Sequence, residues 1–340
     1  GPIGVGDNFN WRYIGAQWAD MDIDGNFYIA QKDDYNANGG ARVIKFSPDF
    51  TELWRWDFPN DTMMYRDRNN SSYNGGRPTC CVSPSFYKGI LWVSTFEGDE
   101  PRTVKIFKIN SETGALINKY TLNSFGDYRE FRSSAAVHTV IKQGTSKDKV
   151  IVASTDVQYY GNGRGHYYAA EVSLGDTDDD YTYITKDKSN RITNLQVHDI
   201  VVNSASEIFV GYSGHFVLLG RSGFAIDSND SVNTYQNFVL MEALSGGRVV
   251  VAGENQALIY NRNLDKQQTI SIPNTCYAFT ITSDEYLYAV SPTKMYKINL
   301  NAETDPIVKE IDLNVAGNNY SMRLLSQPGS NINNISKSLK

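Results

Sequence analysis

Trp18-Ala-Asp-Met-Asp-Ile-Asp24-Gly25-Asn26-Phe-Tyr-Ile-Ala30, then after a polar stretch Ala41-Arg-Val-Ile-Lys-Phe46-Ser47-Pro48-Asp49 and Leu53-Trp-Arg-Trp-Asp57, contains four short apolar or alternating runs parted by turn-forming residues. Alternation over four to eight residues between Gly, Pro, Asn and Asp is the pattern of half-buried strands joined by tight turns. Asp24-Gly25-Asn26 is its strongest punctuation, because Gly accepts the positive φ that a hairpin turn requires. The stretch therefore predicts one small antiparallel meander.

The same four-run pattern recurs to the end of the chain. Its most apolar member, the second run, marks the units: Phe27-Ile29, Ile90-Val93, Val150-Ala153, Ile208-Val210, Val249-Val251 and Leu287-Val290. Successive markers lie roughly 40 residues apart in the later units and about 60 in the earlier ones, the range of repeated four-stranded units with insertions. First runs are expected at Trp18-Ile23, Cys80-Ser83, Ala135-Ile141, Leu195-Val202, Phe238-Leu244 and Tyr277-Ile281. Fourth runs are clear at Leu53-Phe58, Leu116-Leu122, Tyr181-Ile184 and Ile307-Leu313, and faint at Phe224-Ile226 and Gln268-Ile272. A lone four-stranded unit buries too little apolar surface to stand alone, so stacking into a ring is the expected solution. The fold class is all-β: a single β-propeller of six, or with one more unit seven, four-stranded antiparallel blades. Closure is expected from Tyr320-Leu325 pairing with the N-terminal blade near Trp11-Gly15. The expected organisation is a linker or fragment start over 1–10, a propeller over 11–326 and a polar C-terminal tail over 327–340, the tail mobile.

Asp22-Ile-Asp-Gly-Asn-Phe-Tyr-Ile-Ala followed by Arg42-Val-Ile-Lys-Phe-Ser-Pro-Asp resembles an NHL-type propeller repeat. Lys105-Ile-Phe-Lys-Ile-Asn110-Ser-Glu-Thr-Gly114 and Met295-Tyr-Lys-Ile-Asn299 are similar to the strand-then-turn units of YVTN and quinoprotein-like propellers. The resemblance lies in repeat style and implies the fold; it implies no activity, since propellers host many unrelated functions.

Composition narrows the function classes. The chain has 340 residues, 41% of them apolar and 21% charged, with 22 Tyr and 15 Phe, which suits strands. A net charge of −6 without a large basic block argues against nucleic acid as a partner. No apolar run approaches the ~20 residues of a membrane span, so no membrane insertion is expected. Cys80 and Cys81 are adjacent and Cys276 is distant, which is no disulfide framework, although the vicinal pair could be oxidised. Gly1-Pro2 suits a processed product, a fragment joined to an upstream element, or a cleavage scar.

Strand parity supplies the sharpest functional reading. In a meander of four strands, the connections between runs two and three and between successive blades emerge on one face, and the other turns emerge opposite. The long connections Gln31-Gly40, Pro59-Pro78, Thr95-Arg102, Asn123-Arg132 and Asp156-His166 all share one parity. Two of them combine aromatic, Arg and small residues as binding loops do: Tyr65, Arg66, Arg68, Tyr73 and Arg77 in the second, and Tyr159, Tyr160, Arg164 and His166 in the fifth. These nine are the candidate ligand-binding residues.

Candidate metal ligands are fewer. His138 and His198 lie in the innermost runs of consecutive blades, where two imidazoles could face the central channel; a hydrogen-bonded structural role is the plainer account. Other inner runs offer Asp20, Cys81, Glu242 and Cys276. Asp176-Thr-Asp178-Asp-Asp180 spaces three carboxylates at alternate positions as a calcium turn does, but the Gly and distant Glu of an EF-hand are missing, and a solvated acidic turn is the plainer account. Structural calcium is the one ion this spacing admits; no other cofactor is expected. No Gly-x-Ser-x-Gly nucleophile elbow occurs, and no catalytic residue is assigned. The leading expectation is a non-catalytic protein of the extracellular space, a cell surface or a virion surface, an adhesin or phage tail receptor-binding component recognising a glycan or protein. The rival is a lactonase, lyase or glycosidase with metal or carboxylates at the channel near Asp20, His138, His198 and Glu242. The third is a rigid disc in a larger assembly.

Overall fold

Asp22 closes the first hairpin, and its manner of closure recurs along the chain. In the computed structural model, which describes residues 19–31, 42–57, 83–97, 103–122, 138–144, 146, 148–157, 165–192, 197–212, 215–218, 238–276 and 278–313, Asp22 N–H donates to Asn26 O at 2.9 Å and Gly25 N–H to Asp22 O at 3.1 Å. Asp22 Oδ1 in turn accepts from Asn26 N–H at 2.9 Å. The loop is therefore Ile23-Asp24-Gly25, with Gly25 at φ 81° as its left-handed third residue. Turns 47–51, 203–207, 261–265 and 282–286 repeat this bonding. Each opens with a residue whose side-chain oxygen accepts the N–H four positions on: Ser47, Asn203, Asn261 and Thr282.

These turns join strands into six antiparallel sheets, each ordered as in the sequence. The first holds β1 (Ala19–Met21), β2 (Phe27–Gln31), β3 (Arg42–Phe46) and β4 (Glu52–Asp57); the second β5 (Ser83–Tyr87), β6 (Ile90–Glu97), β7 (Thr103–Asn110) and β8 (Leu116–Leu122). The third holds β9 (His138–Gln143), β10 (Lys149–Val157), β11 (Gly165–Leu174) and β12 (Tyr181–Ile192). The fourth has three described strands, β13 (Val197–Val202), β14 (Ile208–Tyr212) and β15 (His215–Leu218). The fifth holds β16 (Phe238–Ala243), β17 (Val249–Gly253), β18 (Gln256–Tyr260) and β19 (Lys266–Ser271), and the sixth β20 (Ala278–Ile281), β21 (Tyr286–Val290), β22 (Lys294–Asn299) and β23 (Ile307–Asp312).

Period-two alternation sends side chains to both faces of each sheet, and the facing sides of successive sheets pack on one another. Leu91 and Val93 of β6 join Tyr28 and Val43 of the first sheet, while Trp92, between them, joins Ile141, Val150 and Val172 of the third. Val140 and Ile151 meet Ile200 and Val210; Val201 and Phe209 meet Met241 and Val251; Val250 and Ile259 meet Leu287 and Tyr296. The five clusters are the five seams between successive sheets. Innermost strands also touch in sequence order, β1 to β5, β9, β13, β16 and β20. Six small sheets stacked face to face about their first strands are the blades of a β-propeller.

Several boundaries differ from the sequence reading. The innermost strand of the second blade is Ser83–Tyr87, later than Cys80-Ser83. Pro84 argues locally for a turn, but β5 is the edge of its sheet, and a prolyl nitrogen directed away from β6 forfeits no ladder bond. Asp156 pairs with His166 and Val157 with Gly165, so the ends of that expected loop are strand, as are Thr95, Phe96 and Glu97 of another. In both cases the ladder continues while cross-strand partners remain available. β12 runs to Ile192, well past Ile184, by following β11 through two register shifts. The expected strands Phe224-Ile226, Tyr320-Leu325 and Trp11-Gly15 lie outside the described residues. Among the described residues no helix is long and apolar enough to cross a membrane.

Candidate functional site

The two ends of the ring differ. Every described connection from first to second strand, and from third to fourth, is a short turn, and the third-to-fourth turns of the second, third, fifth and sixth blades bind the preceding blade. Trp54 Nε1 and Lys45 Nζ of the first blade both donate to Ser111 O, each at 3.0 Å. A Cβ on Gly114 in the same turn would stand 2.9 Å from Trp54 Cδ2. Arg262 of the fifth blade pairs with Glu207 of the fourth at 2.8 Å, and Gln268 Nε2 donates to Ala302 O of the sixth at 2.7 Å. The strand ends that flank the long connections all belong to the opposite end of the ring.

The acidic turn is one of these inter-blade fasteners. Asp178 Oδ1 accepts from Lys119 N–H at 2.9 Å and Asp179 Oδ1 from Thr121 N–H at 2.6 Å, so both cover the open edge of β8. Asp180 folds back over Gly175, and Asp176 is exposed. Among the described residues no three His, Cys, Asp or Glu side chains converge as a metal ion would need.

Charged groups also lie on the innermost strands. Asp20 on β1 accepts from Met21 N–H through Oδ1 at 2.8 Å and, across the seam, from Phe86 N–H of β5 through Oδ2 at 2.6 Å. Asp199 on β13 repeats the arrangement, with Ile200 N–H at 2.9 Å and, across the next seam, Met241 N–H of β16 at 3.4 Å. Lys142 Nζ of β9 stands 3.7 Å from Asp199 Oδ1. Glu242, beside Met241, accepts from Ala243 N–H at 3.3 Å. The Glu242 side chain is half-buried. Desolvation, then the charge of Asp199, raise its carboxyl from 4.5 to about 7; Lys142 and the Ala243 amide oppose the rise, and Asp20 adds to it.

The structure places Asp20 on β1 and Glu242 on β16, both innermost strands, and brings together Asp199 of β13 and Lys142 of β9, which the sequence reading did not single out. Asp199 carries a signal in retrospect: like Asp20 it is an acid inside a first run. Cys276 is elsewhere, buried among Val250, Ile270 and Phe279 between the fifth and sixth sheets. His138 lies on β9 opposite Thr155, and His198 on β13 at the register shift between Val197 and Asp199. His166 lies on β11 opposite Asp156. The side chains of these three histidines, and Tyr65, Arg66, Arg68, Tyr73, Arg77, Cys80, Cys81, Tyr159, Tyr160 and Arg164 altogether, lie outside the described residues.

Comparison with solved structures finds a shared fold at a TM-score above 0.5 in one case. A candidate 6-phosphogluconolactonase from Bacteroides fragilis matches 88% of this chain over 84% of its own, at 11% identity and a TM-score of 0.51. The Neurospora crassa Pan2 WD40 domain matches 84% of this chain over 76% of its own, at 10% identity and a TM-score of 0.48. The AfRom2 CNH domain matches 84% of each chain, at 12% identity and a TM-score of 0.42. At such identities the likeness concerns fold alone. No family model and no curated protein matches the sequence, so the NHL and YVTN resemblance rests on repeat style.

Proposed function

We propose that this chain is a recognition propeller that binds a glycan or a protein of a cell or virion surface through the end of the ring bearing its long connections. The observation that supports the reading is the asymmetry of the two ends. One end is closed by short turns that tie blade to blade, whereas 58–82 and 123–137, the chain between successive blades, return at the other. Rigid scaffolds carry recognition on their long connections, and the aromatic, Arg and Gly content of 59–78 and 156–166 supplies contact area with an adaptable backbone.

The test is binding of the whole chain to a glycan array and to intact cells, beside a variant with Tyr65, Arg66, Tyr159 and Arg164 all changed to Ala. Binding by the parent, lost in a variant with an unchanged melting temperature, supports the reading. Equal binding by parent and variant, or none by either, removes it.

A further inference from the structure

The first blade carries large apolar side chains in the open at its short-turn end. Ile23, in the turn between β1 and β2, is 66% exposed, Phe50, in the turn between β3 and β4, is 61% exposed, and Leu53, near the start of β4, is 50% exposed. Single exposed apolar residues are ordinary, but these share one end of one sheet. Leu53 lies at the bulge opposite Phe46 and turns away from the second blade, because its neighbour Trp54 turns towards Ser111. Phe50 meets Phe27 edge-on at 5.2 Å, and Phe27 stacks on Phe46 at 5.4 Å, so the exposed ring has a packed base. Phe50 is unfavourable twice over: an aromatic ring left in water, on a residue at φ 66° where glycine would sit without strain. Charge around the patch has one sign. Asp24 and Asp49 are exposed in the same two turns, and Ser47 Oγ and Thr51 N–H, which donate to Asp49, bring no charge. Arg55, the one cation of β4, is held by Glu52 at 2.9 Å. The same sign continues round this end of the ring, where each described turn between third and fourth strands of the later blades exposes a carboxylate: Glu112, Asp176, Asp265 and Glu303.

We propose that the short-turn end of the first blade is a docking surface for a Lys- and Arg-rich protein segment that sets an apolar side chain against Phe50 and Leu53, with its cationic groups facing Asp24 and Asp49. Charge complementarity argues for this occupant. A second copy of the chain carries a net −6, and an anionic lipid or nucleic-acid surface is negative throughout, so the acidic rim disfavours both. The apolar anchors supply affinity, and the carboxylates supply steering and discrimination. This surface lies at the opposite end of the ring from the long connections, so the inference does not depend on what they bind.

The experiment is fluorescence titration of the whole chain with a labelled peptide alternating Lys and Leu, beside one with Glu in place of Lys and one with Ser in place of Leu. The parent should bind the Lys/Leu peptide at least about tenfold more tightly than either control, and more weakly as salt rises. Phe50→Gly combined with Leu53→Thr should weaken binding about tenfold; Gly suits the positive φ and Thr suits a strand, so the melting temperature should hold. Asp24→Asn combined with Asp49→Asn should weaken binding about threefold and flatten its salt dependence. No binding by the parent, equal binding of either control peptide, or undiminished binding in the Phe50→Gly, Leu53→Thr variant would overturn the proposal. So would sedimentation showing a parental dimer that this variant lacks, which assigns the face to a second copy. Should the variants not fold, carbodiimide cross-linking of the Lys/Leu peptide to the parent decides instead. Links mapped to Asp24 and Asp49 support docking there, and links spread evenly over the acidic turns of all the blades refute it.

Discussion

Asp22 shows how much one side chain can hold. Its oxygens accept from Asp24 and Asn26 N–H, Asn26 Nδ2 and Tyr28 OH, and Lys45 Nζ lies 3.2 Å away in an ion pair that is nearly all buried. Burial alone would raise the Asp22 carboxyl. The hydrogen bonds from Asn26, Tyr28 and Lys45 outweigh it, and the group stays below its ordinary 3.8. Asp22→Ala should cost about 3–5 kcal/mol in urea unfolding, because it strands the Lys45 ammonium as well as opening the turn. Asp22→Asn, which can still cap the turn, should cost less. The depressed carboxyl also sets the acid limb: its contribution is whole above 3.8 and disappears as pH falls below that value. In Asp22→Asn the acid-induced decline should start from a lower baseline and be shallower. The turn role of Asp22 was legible in Asp-x-Asp-Gly-Asn; its partnership with Lys45 was not, since that pair forms only when β3 lies beside β2.

At the scale of elements, five turns share one bonding logic, yet only one advertises itself with Gly. Gly25 holds positive φ, but Phe50, Ser206, Leu264 and Glu285 occupy the equivalent position at φ 66°, 60°, 71° and 62°. The dependable sign is the residue that opens each turn, Asp, Asn, Ser or Thr, whose side chain caps the loop. Gly114 answers to two demands, a φ of 73° and the Trp54 ring against it, so Gly114→Ala should destabilise by about 1–3 kcal/mol, seen as a lower urea midpoint. The acidic turn yields a local prediction. Changing Asp178 and Asp179 to Ala should speed exchange of the Lys119 and Thr121 amides about fivefold or more, with little effect on β6, since these carboxylates shield an edge and not a core. Strand length was harder to read than strand existence. Pro84 and the Lys and Asn of 186–190 look like loop in isolation, and pairing overrides them.

For the molecule as a whole, each blade is stabilised by the apolar seam it shares with its neighbour, and that makes Cys276 a reporter of seam integrity. It is 1% exposed between the fifth and sixth sheets, and burial pushes its thiol up to about 12. Alkylation mapped to Cys276 should be negligible in the native protein and should follow the unfolding curve in urea; fast labelling without denaturant would show that this seam opens on its own. The acid shoulder of the stability profile should be governed by Asp22.

The sequence by itself determined the repeating unit, the order of its strands and the end of the ring at which its long connections return, because hydrophobic period, turn chemistry and strand parity are all local or countable properties of the chain. Tertiary structure alone decided which charged groups meet. Asp20 reaches Phe86, and Asp199 reaches Met241 and Lys142, since those contacts join residues dozens of positions apart and exist only once the blades are stacked.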